Sequence, residues 1–439
     1  MAATGESISV PQQLVWFLHN SANETPAYLL FLTLIALVGV ALVTLFIGLH
    51  LLAPKPRAPY PSEKKYITTN PDGTTSTPRQ LSCWHDRWVA ENRLLNQSTR
   101  KYPTIPAGFP VPETAAIEPA EVEMSVVIPA YNEANRIIPT LEEMVEYLDE
   151  RFGRPVTAAA PSGGGKKKKS SKTQHHRLFF KNQGGGGQQQ KIPDPASPSG
   201  YEIIIVNDGS KDRTVEVALE FSRKHGMEDI LRIVTLEKNR GKGGGVTHGF
   251  RHVRGEYAVF ADADGASRFS DLGKLMEGCE DVVDGSNRGV AIGSRAHLVG
   301  SEAVVKRSAI RNFLMRSFHF VLMILTPPAT SRIRDTQCGF KLFSRQALPH
   351  IIPYMHSEGW IFDIEMLMLA ESAPATPVLA SDGSVIGTSY GIKVAEVPVG
   401  WHEVDGSKMN LVQDSIKMAI GLAVLRASWM LGVYRRRLA

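Results

Sequence analysis

Asp262-Ala263-Asp264 is the part of this sequence most able to do chemistry, because it follows directly on the apolar run 257–261 (YAVFA). In extended chain, residues two apart point the same way, so both carboxylates can aim at one cation. Hard divalent cations such as Mg²⁺ or Mn²⁺ take carboxylate oxygens and commonly share their shell with substrate phosphates. A metal held by Asp262 and Asp264 would neutralise charge on a departing diphosphate. Three other segments sit after apolar runs in the same way. Pro129, Tyr131, Asn132 and Glu133 follow the first run, and Asn207-Asp208-Gly209-Ser210 the second. The third is followed by 237–245 (EKNRGKGGG). Asp208 can accept the N3–H of a uracil ring, and Glu133 can hold a ribose or base edge, while Asn132 and Ser210 equally suit helix caps. The glycines of the third segment would let backbone amides approach an anion at a helix N-terminus, with Arg240 and Lys242 beside it. Its spacing is neither that of a P-loop nor that of a dinucleotide fingerprint.

The elements that must position these residues are legible in the apolar pattern. Residues 124–129 (MSVVIP), 202–206 (EIIIV), 230–236 and 257–261 read as strands buried on both faces. Ile137, Leu141, Met144, Val145 and Leu148 mark one face of an amphipathic helix, and Val217, Ala218 and Phe221 belong to a second. Strands alternating with helices predict right-handed βαβ units and a mostly parallel sheet with helices on both faces. Ligands on such sheets bind at the carboxyl ends of the strands, where all the motifs fall.

Around this domain the chain carries membrane signals. Residues 28–52 form an apolar run, roughly 37 Å long as a helix and so enough to cross a hydrocarbon core of about 30 Å. Residues 1–27 contain no Lys or Arg, unlike a signal peptide, whereas Lys55, Arg57, Lys64 and Lys65 follow the span. This predicts a retained anchor with a short lumenal N-terminus (1–27) and a cytosolic bulk. Residues 53–120 are expected as a linker packed loosely on a catalytic domain at 121–410, with a short helix near 85–95. Residues 153–200, rich in Gly, Lys and Gln, are expected as a disordered insertion, and 373–390 has the same small, polar character. Segments 303–325 and 411–435 mix apolar and basic residues and are expected to lie in the membrane interface. Three widely spaced cysteines give no disulfide framework. The net charge of +5 is scattered and comes with no nucleic-acid-binding motif, so no nucleic-acid partner is expected.

VVIPAYNE, IIIVNDGSKD, the Gly-rich segment and ADAD, in that order, resemble the family 2 inverting nucleotide-sugar glycosyltransferases over roughly residues 122–435. Segments 292–295 (IGSR), 335–341 (DTQCGFK), 362–365 (FDIE) and 401–408 (WHEVDGSK) look like the dolichyl-phosphate β-glucosyltransferase branch. The resemblance implies a GT-A-type Rossmann-like fold, UDP-glucose as donor and dolichyl phosphate as acceptor. It also implies an endoplasmic reticulum address and a product, dolichyl β-D-glucosyl phosphate, that supplies N-glycan precursor assembly. Expected donor contacts are Pro129, Tyr131, Glu133, Asp208, Lys242 and Asp262, and expected catalytic residues are Asp262, Asp264, Arg295 and Asp363. A lipid phosphate is already nucleophilic near neutral pH, so its site needs positive charge more than a base. Arg295, Arg311, Lys341 and Lys408 are the candidates, with Asp363 and Glu365 orienting cations or glucose hydroxyls. A dolichyl-phosphate mannosyltransferase using GDP-mannose, and a membrane-tethered non-catalytic scaffold, are the competing readings.

Overall fold

A computed structural model describes residues 26–101, 117–155, 198–298, 317, 320–379, 384–404 and 411–436. The domain is built on a seven-stranded sheet in the order β11-β7-β8-β6-β3-β4-β5. Its strands are β3 (Val122–Ala130), β4 (Tyr201–Asn207), β5 (Leu231–Thr235), β6 (Gly255–Ala261), β7 (Val290–Ser294), β8 (Phe340–Ser344) and β11 (Val394–Pro398). β8 runs antiparallel to both neighbours, β6 and β7, and the remaining pairs are parallel. The sheet is therefore mostly parallel, as the GT-A-type expectation requires. The first four predicted strands lie where the apolar runs placed them.

Side chains alternate between two cores, as a pleated strand demands. Val126, Ile128, Ile203 and Ile205 face one core, which α3 (Ile137–Phe152), α4 (Thr214–His225) and α6 (Leu272–Val282) cover. Val127, Ile204 and Val206 face the other, covered by α5 (Gly241–Phe250) and, after the short α7 (Pro328–Ser331), by α8 (Phe362–Glu371). All five residues of the predicted amphipathic face, Ile137 to Leu148, are buried in α3.

The stretch after the apolar helix α1 (Ala27–Leu52) is more than a loose linker. It forms the small ribbon β1 (Lys65–Tyr66) and β2 (Arg79–Gln80), then α2 (Trp84–Lys101). Leu81, Trp84 and Trp88 are buried in the second core. The Trp84 indole N–H donates to the Phe250 carbonyl at 2.7 Å. Ile67 bridges Ile233 of β5, so this segment covers the sheet edge. The polar, proline-rich composition concealed a few large apolar residues that carry the packing.

Residues 376–379 and 385–389 pair as an antiparallel hairpin, β9 and β10, where the sequence suggested low complexity. Most of the 153–200 insertion and of the 303–325 segment lies outside the described residues. The C-terminal segment is helical in α9 (Leu411–Met430). Its Met418, Leu422 and Leu425 pack with Ala53, Leu322, Ile361 and Tyr434 in a third cluster. α1 is long and apolar enough to cross a membrane, with its side chains exposed except at its C-terminal end, where Leu49 is buried.

Candidate active site

The carboxyl ends of β3, β4, β5, β6 and β7 open on one edge of the sheet, and antiparallel β8 begins there. Ala263 turns inward, its carbonyl accepting from Thr140 Oγ1 at 3.1 Å, so Asp262 and Asp264 emerge half-buried on either side of it. Asp262 Oδ1 lies 2.6 Å from Lys242 Nζ, and Asp264 Oδ1 accepts the Ala266 N–H at 3.1 Å. Burial works against the Lys242 ammonium, but the carboxylates of Asp262, Asp363 and Asp264 outweigh it and raise its pKa. Asp262 thus meets Lys242 directly, while Asp264 turns one oxygen to the backbone of its own turn.

Space beside Asp262 is made by Gly339, just before β8. A Cβ there would lie 2.0 Å from Asp262 Oδ2. The pair suits a hard divalent cation, because both side chains are carboxylates and both are partly exposed. Among the described residues no third His, Cys, Asp or Glu side chain closes a shell with them, which leaves positions for substrate phosphate.

Arg295 leaves the end of β7 and is clamped by Asp335, whose carboxylate takes its Nε at 2.7 Å and Nη2 at 2.8 Å. Burial opposes the guanidinium charge, and the hydrogen bonds and charge of Asp335 override it, raising the Arg295 pKa. Its guanidinium also faces the Trp401 ring at 5.8 Å. Trp401 sits in a stretch tied to the turn after Asp264, where the His402 N–H donates to the Ala266 carbonyl at 2.9 Å.

Lys341 is not where an acceptor-phosphate ligand must be. It is fully buried, ion-paired with Asp363, and donates to the Cys338 carbonyl at 2.6 Å. It fixes Asp363 and the chain approaching Gly339 rather than reaching solvent. Its place on β8, a strand the apolar pattern did not reveal, explains the difference. Arg311 and Lys408 lie outside the described residues. Glu365 is fully buried too, accepting the N–H groups of His356 and Ser357 at 2.9 and 2.6 Å, and so pins that loop.

On the nucleotide side, two turns lace together. Asn132, at φ +54°, donates its N–H to Ser210 Oγ at 2.9 Å and accepts the Lys211 N–H at 2.7 Å. Glu133 is buried with its carboxylate 2.7 Å from Arg136, an ion pair that helps to shape this turn. Tyr131 is half-buried at the end of β3, and Pro129 packs near Gly245 of α5. Asp208 is buried and accepts the Arg240 N–H at 2.6 Å. Burial raises its carboxyl to about 6.

The glycines of 241–249 serve packing first. A Cβ at Gly243 would lie 2.5 Å from Phe362 Cβ, and one at Gly249 would lie 2.4 Å from Val127 Cγ1. The Gly244 N–H donates to the Glu358 carbonyl at 3.2 Å. The segment is a helix wedged between the sheet and the 356–362 loop, with Lys242 as its contribution to the site. Asp335, Gly339, Glu358 and Trp401 complete the surroundings. Their functional signal in the sequence was confined to the resembling segments 335–341 and 401–408, and Glu358 gave none.

The profile of glycosyl transferase family 2 matches residues 188–350. A Saccharomyces cerevisiae protein named dolichyl-phosphate beta-glucosyltransferase is 36% identical over 413 residues, covering 92% of this chain and 94% of its own. A Homo sapiens protein of the same name is 35% identical, covering 71% and 78%. Among solved structures, a Mycobacterium tuberculosis glucosyl-3-phosphoglycerate synthase with Mg²⁺ and uridine diphosphate matches with a TM-score of 0.40 at 14% identity. It covers 70% of this chain and 80% of that chain, a likeness too distant to assign anything.

Proposed function

The chain belongs to the dolichyl-phosphate β-glucosyltransferases of glycosyl transferase family 2, and from that premise we propose that it transfers glucose from UDP-glucose to dolichyl phosphate with inversion. The observation that carries this reading is the likeness to the yeast enzyme along nearly the whole of both chains. The acidic pair at the end of β6, meeting Lys242, gives it a chemical centre.

In the reaction, an oxygen of the lipid phosphate attacks the anomeric carbon of glucose as the bond from that carbon to the diphosphate oxygen breaks. The diphosphate leaves as UDP with the bonding electrons, and an α-linked donor becomes a β-linked product. Asp262 and Asp264 would hold a divalent cation, Mg²⁺ or Mn²⁺, which when bound supplies charge neutralisation at the diphosphate. Lys242 adds a fixed positive charge beside the same oxygens. Asp208 and Tyr131 line the uridine end. Arg295, preorganised by Asp335, presents the acceptor phosphate in line with the donor, so its entropy of orientation is met before the reaction. The Asp363 carboxylate favours the charged form of Lys242, and Lys341 in turn fixes Asp363. No strong general base is required, since the phosphate arrives already ionised.

We read α1 as the membrane anchor and place the catalytic domain on the cytosolic face of the endoplasmic reticulum. Supporting this, the end of α1 is tied to the domain: Leu49 and Ala53 are buried, and Tyr434 donates its hydroxyl to the Pro54 carbonyl at 2.7 Å. Phe320, Met323, Ile324, Val412, Ile416 and Ile420 are exposed, as suits helices lying on a bilayer.

The test is incubation of membranes containing the wild type or Asp262→Asn with dolichyl phosphate and labelled UDP-glucose or GDP-mannose. Labelled lipid forms from UDP-glucose with the wild type alone. Label from GDP-mannose only would assign a mannosyltransferase, and none from either donor with the fold intact would leave a scaffold.

A further inference from the structure

The C-terminal turn borders a pocket at the foot of α1 whose lining residues take no part in the bond changes described above. After α9 the chain reverses at Gly432, φ +71°, and the N–H groups of Val433 and Tyr434 both donate to the Ser428 carbonyl, at 2.8 and 3.0 Å. Tyr434 is fixed on both sides. Its hydroxyl reaches Pro54, two residues beyond α1, and its ring stacks on His356 with centroids 3.7 Å apart. Arg436 anchors the tail, donating to the carbonyls of His350 and Leu369. Between these attachments lies a cavity of about 500 Å³ lined by His50, His356, Gly432, Val433 and Arg435.

The lining carries two imidazoles, a guanidinium and no carboxylate. Behind it, the buried Glu365 carboxylate lies 3.2 Å from His356 Nδ1, which makes that nitrogen the donor and turns Nε2 away from Glu365. The volume is that of a small-ligand site. Its position, at the end of the helix that we read as crossing the bilayer, is the level of lipid headgroups.

We propose that this pocket holds the phosphate of a membrane lipid between His50, His356 and Arg435 while the lipid chains stay in the bilayer. The proposal rests on the reading of α1 as an anchor. Two lipids carry the required chemistry, the polyprenyl phosphate acceptor and an anionic phospholipid. Either would bear on catalysis through one loop. Two residues after His356 stands Glu358, whose carbonyl accepts the Gly244 N–H and whose carboxylate takes Arg240 Nε at 2.7 Å, at the end of α5 that carries Lys242.

The experiment uses the full chain in nanodiscs of phosphatidylcholine, alone or with phosphatidylserine, comparing wild type with His50→Gln and Arg435→Gln. Both side chains are exposed, so folding is retained, and melting temperature checks it. If the acceptor occupies the pocket, each variant raises KM for dolichyl phosphate about tenfold in phosphatidylcholine alone, the size of one charge-assisted hydrogen bond, with kcat and donor KM unchanged. If phospholipid occupies it, phosphatidylserine accelerates the wild type, and the variants lose that acceleration with acceptor KM unchanged. Native mass spectrometry of the same samples reads lipid retained by the wild type and lost by the variants, independently of transfer. Variants equal to the wild type in kinetics and in retained lipid overturn the pocket. Absence of transfer by the wild type would instead count against the proposed function.

Discussion

Replacing Gly339 by alanine should disable the enzyme while leaving its fold nearly untouched. Gly339 has no positive φ, so the backbone accepts alanine. The added Cβ would lie 2.0 Å from Asp262 Oδ2, 2.5 Å from Cγ and 2.8 Å from Oδ1, all well inside the roughly 3.5 Å of an ordinary contact. The carboxylate must therefore retreat by about 1 Å or more. Its side chain is 27% exposed and free to swing, so the cost falls on position rather than on packing, about 1 kcal/mol of stability. The swing breaks the 2.6 Å contact with Lys242. Misplacing a positioned group by about 1 Å costs on the order of 10²-fold, or about 2.7 kcal/mol of barrier. The assay is transfer of labelled glucose to dolichyl phosphate, read beside a thermal melt. Gly359→Ala, where an added Cβ meets nothing within 4 Å, is the control and keeps full activity. Wild-type kcat in Gly339→Ala would refute the placement of Asp262 at the reacting centre.

Three further outcomes are expected. Lys341→Met strands the buried Asp363 carboxylate and should cost about 3–5 kcal/mol in denaturant unfolding; an unchanged midpoint would show that the pair is not structural. Asp208, with its carboxyl raised to about 6, holds its proton more tightly folded than unfolded. Its contribution to stability is complete below about pH 4 and disappears as pH rises through about 6. Donor binding runs the other way, because only the ionised carboxylate accepts without a competing proton. KM for UDP-glucose should climb as pH falls below about 6, and Asp208→Asn should flatten that rise; persistence of the inflection in the variant would assign it to another group. Trp84→Ala should destabilise the domain by about 3–5 kcal/mol in the same unfolding assay, whereas a loosely attached linker would lose nothing.

The sequence revealed most where one physical signal dominated. Runs such as 203–206 are apolar on both faces because both faces of the sheet are covered, and no helix of ordinary amphipathic design reads that way. The polar turns after them fall at strand ends, so Asp208, Asp262 and the 131–133 turn are legible in the sequence. β7, β8 and β11 were harder. β8 is a short five-residue strand that carries a buried lysine, and a charge in a core strand contradicts the pattern until its partner, Asp363, is known. That pairing spans 22 residues and depends on β8 running antiparallel, which periodicity does not encode. The same blindness hid the ion pairs that hold Lys341 to Asp363 and Glu133 to Arg136. A titratable residue beside a motif looks available until its ion pair is seen. The glycines of 241–249 misled in the opposite direction, since close packing against Phe362 and Val127 and close approach to a ligand ask for the same residue.

The central claim, that Asp262 and Asp264 act through a shared divalent cation, is tested most directly by transfer rates in chelator. Wild-type protein treated with excess EDTA should fall to the rate of Asp262→Asn and recover when Mg²⁺ or Mn²⁺ is restored, while the variant stays slow throughout. Undiminished transfer by the chelated wild type would contradict the claim.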